Sequence, residues 1–207
     1  MAYSEIELDG LKEIVNVGGG NAATSISQMI NSRVDMDVPE VEVMAYDELY
    51  QKIIADDVEM HAVLSKIVGD IDGALLFVIA DESGQKIAKM MLGSDDNPSN
   101  EIIASAVTEL TNILFNSFLR AIGDMLQIQL IASLPISRYD FFGAIISSAY
   151  MAFDHYDEQI LVIHNEFTYN NENLDASLFL IPGEGVLDKI FKALGIWEEK
   201  FKWQNQY

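Results

Sequence analysis

The chain has 207 residues, half of them hydrophobic, so it can bury a sizeable core. Its 12 basic residues against 33 acidic ones give a formal net charge of −21, which argues against binding a phosphate backbone or an anionic membrane surface. The absence of cysteine excludes disulfides, thiol catalysis and cysteine-ligated metal centres.

The N-terminus shows no basic region followed by an apolar segment, as a signal peptide would. Apolar runs such as residues 73–80 are far shorter than the roughly 20 residues that a membrane-spanning helix needs. We therefore expect a cytoplasmic protein that binds no nucleic acid and does not insert into a membrane.

In chain order, hydrophobic periodicity predicts two long helices, at 6–31 and 102–127, and two short ones, at 84–92 and 186–194. The predicted strands lie near 40–47, 59–68, 73–80, 128–133, 141–153, 158–168 and 175–181. The segment 93–101 contains Gly, Asp, Asn and Pro together and marks a short joint between two halves.

The two halves resemble each other. A shift of 96 residues places residues 5–40 on residues 101–136. It aligns four pairs of polar or special residues, namely Asp9 with Ser105, Glu13 with Glu109, Asn16 with Asn112 and Pro39 with Pro135. A second similarity, at a shift of 102, relates GALLFVIA at 73–80 to DASLFLIP at 175–182.

This repetition predicts an α+β fold made of two pseudo-symmetric repeats. Each repeat would carry a long surface helix and antiparallel strands, and the two would share one sheet. The repeats would cover about 5–93 and about 101–195 of a single domain over 1–207.

The paired Glu and Asn lie three residues apart in each long helix, so they project from one face, opposite the apolar stripe. One exposed Glu–Asn pair would be ordinary solvation, but the same pair in both halves indicates something to bind. Gly18 falls on the apolar stripe, where a missing side chain permits close packing. Gly20 falls on the Glu13/Asn16 face and would leave it flat and open.

The pattern Asp/Ser, Glu, Asn and Pro resembles the signature of the CheC/FliY/CheX phosphatases of bacterial chemotaxis. It occurs as DGLKEIVN with Pro39 and as SAVTELTN with Pro135. Two complete motifs in a chain of this length resemble the CheC branch most closely, whereas CheX would carry one motif and FliY would extend further.

The resemblance implies hydrolysis of the aspartyl phosphate on the response regulator CheY. Asn16 and Asn112 would orient the attacking water, and Glu13 and Glu109 would bind a lysine of the regulator. Asp9, Ser105 and the two prolines would support the position of the helices. The chain would need no cofactor of its own, since the regulator carries Mg²⁺, and CheD would be a second partner.

The second motif departs from the family pattern. This chain has NILFNS at 112–117, where the family commonly has Ala and Gly in place of Phe115 and Asn116. Asn116 corresponds to Gly20 in the repeat and lies on the predicted docking face. We therefore expect the first site to accept a docked regulator better than the second.

The residues leave three alternatives open. The chain could be a catalytically weak adaptor that binds CheD or a regulator, or, with less support, a component of the flagellar switch. The acidic stretch DHYDE at 154–158 could suggest a metal site, although polar residues at a strand end explain it better. His61 and His164 lie in alternating apolar segments and are expected to be structural.

Overall fold

The computed structural model describes residues 3–45, 48–151, 159–169 and 172–196. Its helices are α1 Glu5–Ile30, α2 Leu49–Lys52, α3 Asp81–Leu92, α4 Asn100–Leu126, α5 Phe142–Met151 and α6 Val186–Ala193. Its strands are β1 Val34–Ala45, β2 Glu59–Gly69, β3 Gly73–Ala80, β4 Leu130–Ala132, β5 Ile136–Phe141, β6 Gln159–Tyr169, β7 Glu172–Leu174 and β8 Ala176–Pro182.

The strands form one antiparallel sheet in the order β1-β6-β8-β3-β2-β4, with β5 also paired to β2 and β7 to β6. The pair at the middle, β3 with β8, contains the two similar apolar segments, one from each half. On either side a strand of one half pairs with a strand of the other, because β1 pairs with β6 and β2 with β4 and β5. The prediction that two pseudo-symmetric repeats share one sheet is confirmed.

Both faces of the sheet are covered. In β3, Leu75, Phe77 and Ile79 pack with the core under the long helices. The alternate residues Ala74, Leu76 and Val78 pack on the opposite face with α2 and α5. Since successive side chains of a strand point to opposite faces, burial on both sides explains why β3 reads as a continuous apolar run.

Most predicted elements lie within a few residues of their observed positions, and one prediction was wrong. Residues 141–153 were expected to form a strand, but Phe142–Met151 is helix α5. Its buried residues Phe142, Ile145, Ile146 and Ala149 follow the i, i+3, i+4, i+7 spacing of a helix. The β-branched and aromatic composition of this segment was therefore misleading, and its periodicity was the better guide.

Two strands were also predicted incompletely or missed. Strand β1 begins at Val34, six residues before the predicted start, and β5 was not predicted at all. All six residues of β5 are exposed or half-buried, so the segment shows little of the apolar alternation on which strand prediction depends.

Helix α4 is more apolar than the sequence analysis implied. By length and hydropathy alone it could cross a membrane, but half of its most apolar 18-residue stretch is buried inside the molecule. It packs against α1 and the sheet, with Val107, Leu114 and Phe118 completely buried. This is the packing of a core helix.

Candidate functional site

The two long helices end at corresponding positions of the repeat and begin within one residue of them. Ser4 caps α1 in a capping box with Glu7, and Ser99 caps α4 by accepting from the backbone N–H of Ile102. Both helices end at a residue in the left-handed conformation, Asn31 (φ 51°) and Gln127 (φ 56°), which are again 96 residues apart. The Glu–Asn pair therefore occupies an equivalent position within each long helix.

The predicted faces of both helices are confirmed. On the α1 stripe, Leu11, Val15, Gly18, Ala22 and Ile26 are buried, whereas Met29 is 36% exposed. On the opposite side, all four predicted residues are exposed, namely Asp9, Glu13, Asn16 and Gly20. In α4, Ser105, Glu109 and Asn116 are exposed, and Asn112 is half-buried.

The consecutive glycines of α1 meet different surroundings. A Cβ at Gly18 would lie 2.4 Å from Cδ2 of the buried Phe118, so this glycine lets α4 approach closely. A Cβ at Gly19 would lie 3.3 Å from Sδ of Met36 in β1. A Cβ at Gly20 would meet no heavy atom within 4 Å, which leaves the face beside Asn16 open as predicted.

In the first site, Glu13 and Asn16 present their side chains to solvent. Neither makes a side-chain hydrogen bond to another described residue. A carboxylate and an amide three residues apart on a helix can be reached by one partner at the same time. The first site is therefore an open pair with both polar groups available.

The second site has the same pair in a different setting. Nδ2 of Asn116 donates to the backbone oxygen of Asn112 at 2.7 Å and to Oδ1 of the same residue at 2.9 Å. Phe115, the other departure from the family pattern, is fully buried and contributes to the core. The amide of Asn112 is thus already engaged within the protein.

Two separate grooves run beside the long helices. Asn112 and Asn116 line a groove of about 700 Å³ between α4 and α1, together with Asn21 and Ser25. Gly20 lines a groove of about 650 Å³ between α1 and β1. The two grooves share no residue, and Glu13, Asn16 and Glu109 line neither of them. Such shallow surfaces suit a docking macromolecule better than a small ligand.

The two predicted supporting prolines lie at interruptions of strand pairing. Pro39 lies in β1, where the pairing with β6 shifts register between Asp37 and Glu40. Pro135 lies between β4 and β5, where the strand paired to β2 is interrupted. A proline has no N–H to donate, so both interruptions occur where a ladder bond would be lost.

Arg120 was missed by the sequence analysis. It is exposed and lines the groove between the long helices, one turn beyond Asn116. Its position could have been found from the i, i+4, i+8 spacing that starts at Asn112.

The histidine predictions have separate outcomes. His61 is buried in β2, and its Nε2 lies 2.9 Å from Oδ1 of Asp81, as expected of a structural residue. His164 lies in β6, but its side chain and the DHYDE stretch at 154–158 lie outside the described residues. Among the described residues, no group of three or more His, Asp or Glu side chains could hold a metal.

Comparison with known families agrees with the motif. The model described as "Chemotaxis phosphatase CheX" matches residues 62–138, and that of the "CheC-like family" matches residues 6–43. The chain is 29% identical over 198 residues to the CheY-P phosphatase CheC of Bacillus subtilis, which covers 92% of this chain and 95% of that protein.

Solved structures share the fold. Thermotoga maritima FliY superposes with a TM-score of 0.78 at 20% identity, over 93% of this chain and 98% of that one. CheX in the CheX-CheY-BeF3-Mg+2 complex from Borrelia burgdorferi superposes with a TM-score of 0.53 at 12% identity, over 86% and 99%. Motif, sequence and fold agree in their similarity to the CheC, FliY and CheX phosphatases of bacterial chemotaxis.

Proposed function

We propose that this chain hydrolyses the aspartyl phosphate of a CheY-type response regulator. The observation that carries the proposal is the Glu–Asn pair repeated on corresponding faces of two equivalent helices, with Glu13, Asn16 and Glu109 exposed. The Bacillus subtilis relative, aligned over nearly its whole length, is named as a CheY-P phosphatase.

The chemistry needs little from the enzyme beyond positioning. An acyl phosphate is already activated, so the main requirement is a water molecule held in line with the phosphorus–oxygen bond. The amides of Asn16 and Asn112 would orient that water, and their amide oxygens can accept its protons. No nucleophilic side chain is required.

The carboxylates would fix the docking. Glu13 and Glu109 would each bind a lysine of the regulator and set the register in which the asparagine reaches the phosphoryl group. The net charge of −21 favours a partner with a basic surface around its phosphorylation site. Mg²⁺ would arrive on the regulator, where it shields the phosphoryl oxygens.

The two roles can be separated with a regulator carrying beryllofluoride and Mg²⁺ as a stable mimic of the phosphoryl group. We expect Asn16→Ala with Asn112→Ala to keep binding to this mimic and to lose about 10²-fold in turnover. We expect Glu13→Ala with Glu109→Ala to weaken the binding itself. These roles would be contradicted if the asparagine variant bound the mimic poorly but hydrolysed the phosphoryl group at the normal rate once bound.

The alternative is an adaptor that binds a regulator or CheD without turnover. The engaged amide of Asn112 favours this for the second site only. Tight binding of the beryllofluoride regulator with no acceleration of phosphate release, with or without CheD, would establish the adaptor. We propose a cytoplasmic location, in line with both candidate partners.

A further inference from the structure

The two sites differ at one position on the docking face, which is Gly20 in α1 and Asn116 in α4. We propose that Asn116 is a positioning residue that holds the amide oxygen of Asn112 in a hydrogen bond, fixes the orientation of that amide and so slows the second site. This inference rests on the proposed function and assigns a cause to the difference between the sites.

The two hydrogen bonds of Asn116 fix the orientation of both amides. Its terminal atom lies 2.7 Å from the backbone oxygen of Asn112, which can only accept, so that atom must be the nitrogen Nδ2. The same nitrogen lies 2.9 Å from the side chain of Asn112, so the atom it meets there must be the oxygen Oδ1. The orientation therefore follows from the bonding partners.

This bond changes what Asn112 can offer a docked phosphoryl group. A water that attacks phosphorus directs a lone pair at it and donates its protons to acceptors. Oδ1 of Asn112 already accepts from Asn116, one turn towards the C-terminus, and Glu109 lies one turn in the other direction. Oδ1 keeps one further acceptor position, but the bond to Asn116 fixes the orientation of the amide, so that position cannot turn to follow a bound water.

The first site lacks this constraint. No heavy atom lies within 4 Å of a Cβ placed on Gly20, and Asn16 is exposed with no hydrogen-bond partner for its side chain among the described residues. Its amide can turn either end towards a bound water. The same pair of catalytic residues is therefore free in one half and restrained in the other.

The bond from Asn116 to the backbone is an ordinary local contact. Asn21 in α1 donates to the backbone oxygen of Val17 in the same way, at 2.9 Å. At Asn116, however, the residue four positions earlier is an asparagine whose side chain can also accept. The second bond, to Oδ1, is what connects Asn116 with the site.

The test uses the full chain with the first site disabled by Glu13→Ala and Asn16→Ala. Phosphate release is measured from a CheY-type regulator phosphorylated with a small-molecule phosphodonor. We expect Asn116→Ala to raise kcat about fivefold, the worth of one neutral hydrogen bond, with little change in KM. Asn116→Leu keeps the bulk but donates nothing, and it should raise kcat by a similar factor.

Two controls distinguish the bond from other effects. Thr108→Ala removes a hydroxyl bond to the backbone oxygen of Ala104 in the same helix, and it should leave kcat unchanged. In a chain whose second site is disabled by Glu109→Ala and Asn112→Ala, Gly20→Asn should lower kcat about fivefold by copying the restraint onto Asn16.

Each other result overturns the inference in a recognisable way. A gain in Asn116→Ala without one in Asn116→Leu would assign the effect to bulk, and an equal gain in Thr108→Ala would assign it to a looser helix. An active unmodified chain whose kcat is unmoved by both substitutions at Asn116 would overturn this role alone. No acceleration by the unmodified chain or by any variant would overturn the proposed function as well.

Discussion

Gly18 and Gly20 lie two residues apart in α1 but should respond oppositely to the addition of a methyl group. Gly18→Ala would place Cβ 2.4 Å from Cδ2 of the fully buried Phe118. Overpacking of this kind costs about 1–3 kcal/mol, and the better helix propensity of alanine returns at most about 1 kcal/mol. We expect a net loss in the free energy of unfolding.

Gly20→Ala is the matched control, because its new methyl group meets no heavy atom within 4 Å. We expect it to raise the free energy of unfolding by up to about 1 kcal/mol. Urea unfolding of both variants measures the difference. Equal shifts in the same direction would contradict the close packing of α1 on α4 at Gly18.

Asp81 at the start of α3 should make stability depend on pH. The hydrogen bond from buried His61 lowers the pKa of Asp81 below its ordinary value of about 4, aided by a bond from Gln85 and opposed by partial burial. A carboxyl whose pKa is lower in the folded state contributes stability above its unfolded pKa and loses that contribution as pH falls through its folded pKa.

Asp81→Asn should therefore destabilise the chain at neutral pH, with a difference that shrinks as pH falls below about 4. Thermal unfolding across a pH series measures this. Glu82→Gln is the control, since Glu82 is 86% exposed and pairs only weakly with Lys86 at 3.5 Å. A destabilisation by Asp81→Asn that is the same at pH 3 and pH 7 would show that the ionised form is not what matters.

At this scale the sequence predicted which side chains are exposed, because helical periodicity determines the face on which a residue lies. Glu13, Asn16, Gly18 and Gly20 all lie where that periodicity places them. The bond from Asn116 to Asn112 was not predicted, because it depends on two side-chain rotamers. The roles assigned to the site residues stay predictions.

The two long helices differ in how firmly their first turns are held. Ser4, directly before α1, accepts from the N–H of Glu7 at 3.3 Å, and its own N–H donates to the Glu7 carboxylate at 2.8 Å. Ser99, directly before α4, makes one cap bond, accepting from the N–H of Ile102 at 3.4 Å. We expect Ser4→Ala to cost about 1 kcal/mol in the free energy of unfolding and Ser99→Ala clearly less.

Hydrogen exchange at the first turn of each helix checks this without relying on global unfolding. Ser4→Ala should speed exchange at the start of α1 and leave that of α4 unchanged. Equal costs for the two substitutions would mean that the capping box adds nothing to the single bond.

Among the elements, those with a regular apolar pattern were predicted and those without it were not. The long helices bury one face and show a helical period, whereas β3 and β8 bury both faces and show nearly continuous apolar runs. Strand β5 is largely exposed, and α5 combines helical spacing with β-type composition. Both lie in the second half of the chain. The sequence similarity between the halves does not extend over them, so the first half gave little help in predicting them.

For the whole molecule, strand pairing between the halves predicts joint unfolding. Pairing of β1 with β6, β3 with β8 and β2 with β5 connects the halves at three places in one sheet. We expect both halves to lose amide protection in one cooperative transition. Hydrogen exchange in increasing urea measures this, and protection that persists in one half after the other has exchanged would contradict a single domain.

The measurement that tests the central claim most directly is phosphate release from a phosphorylated CheY-type regulator. Four chains are compared, namely the unmodified chain, Glu13→Ala with Asn16→Ala, Glu109→Ala with Asn112→Ala, and the combination of all four substitutions. We predict that the unmodified chain accelerates release, that the first double variant loses more activity than the second, and that only the quadruple variant loses it all. Full activity in the quadruple variant would contradict the account.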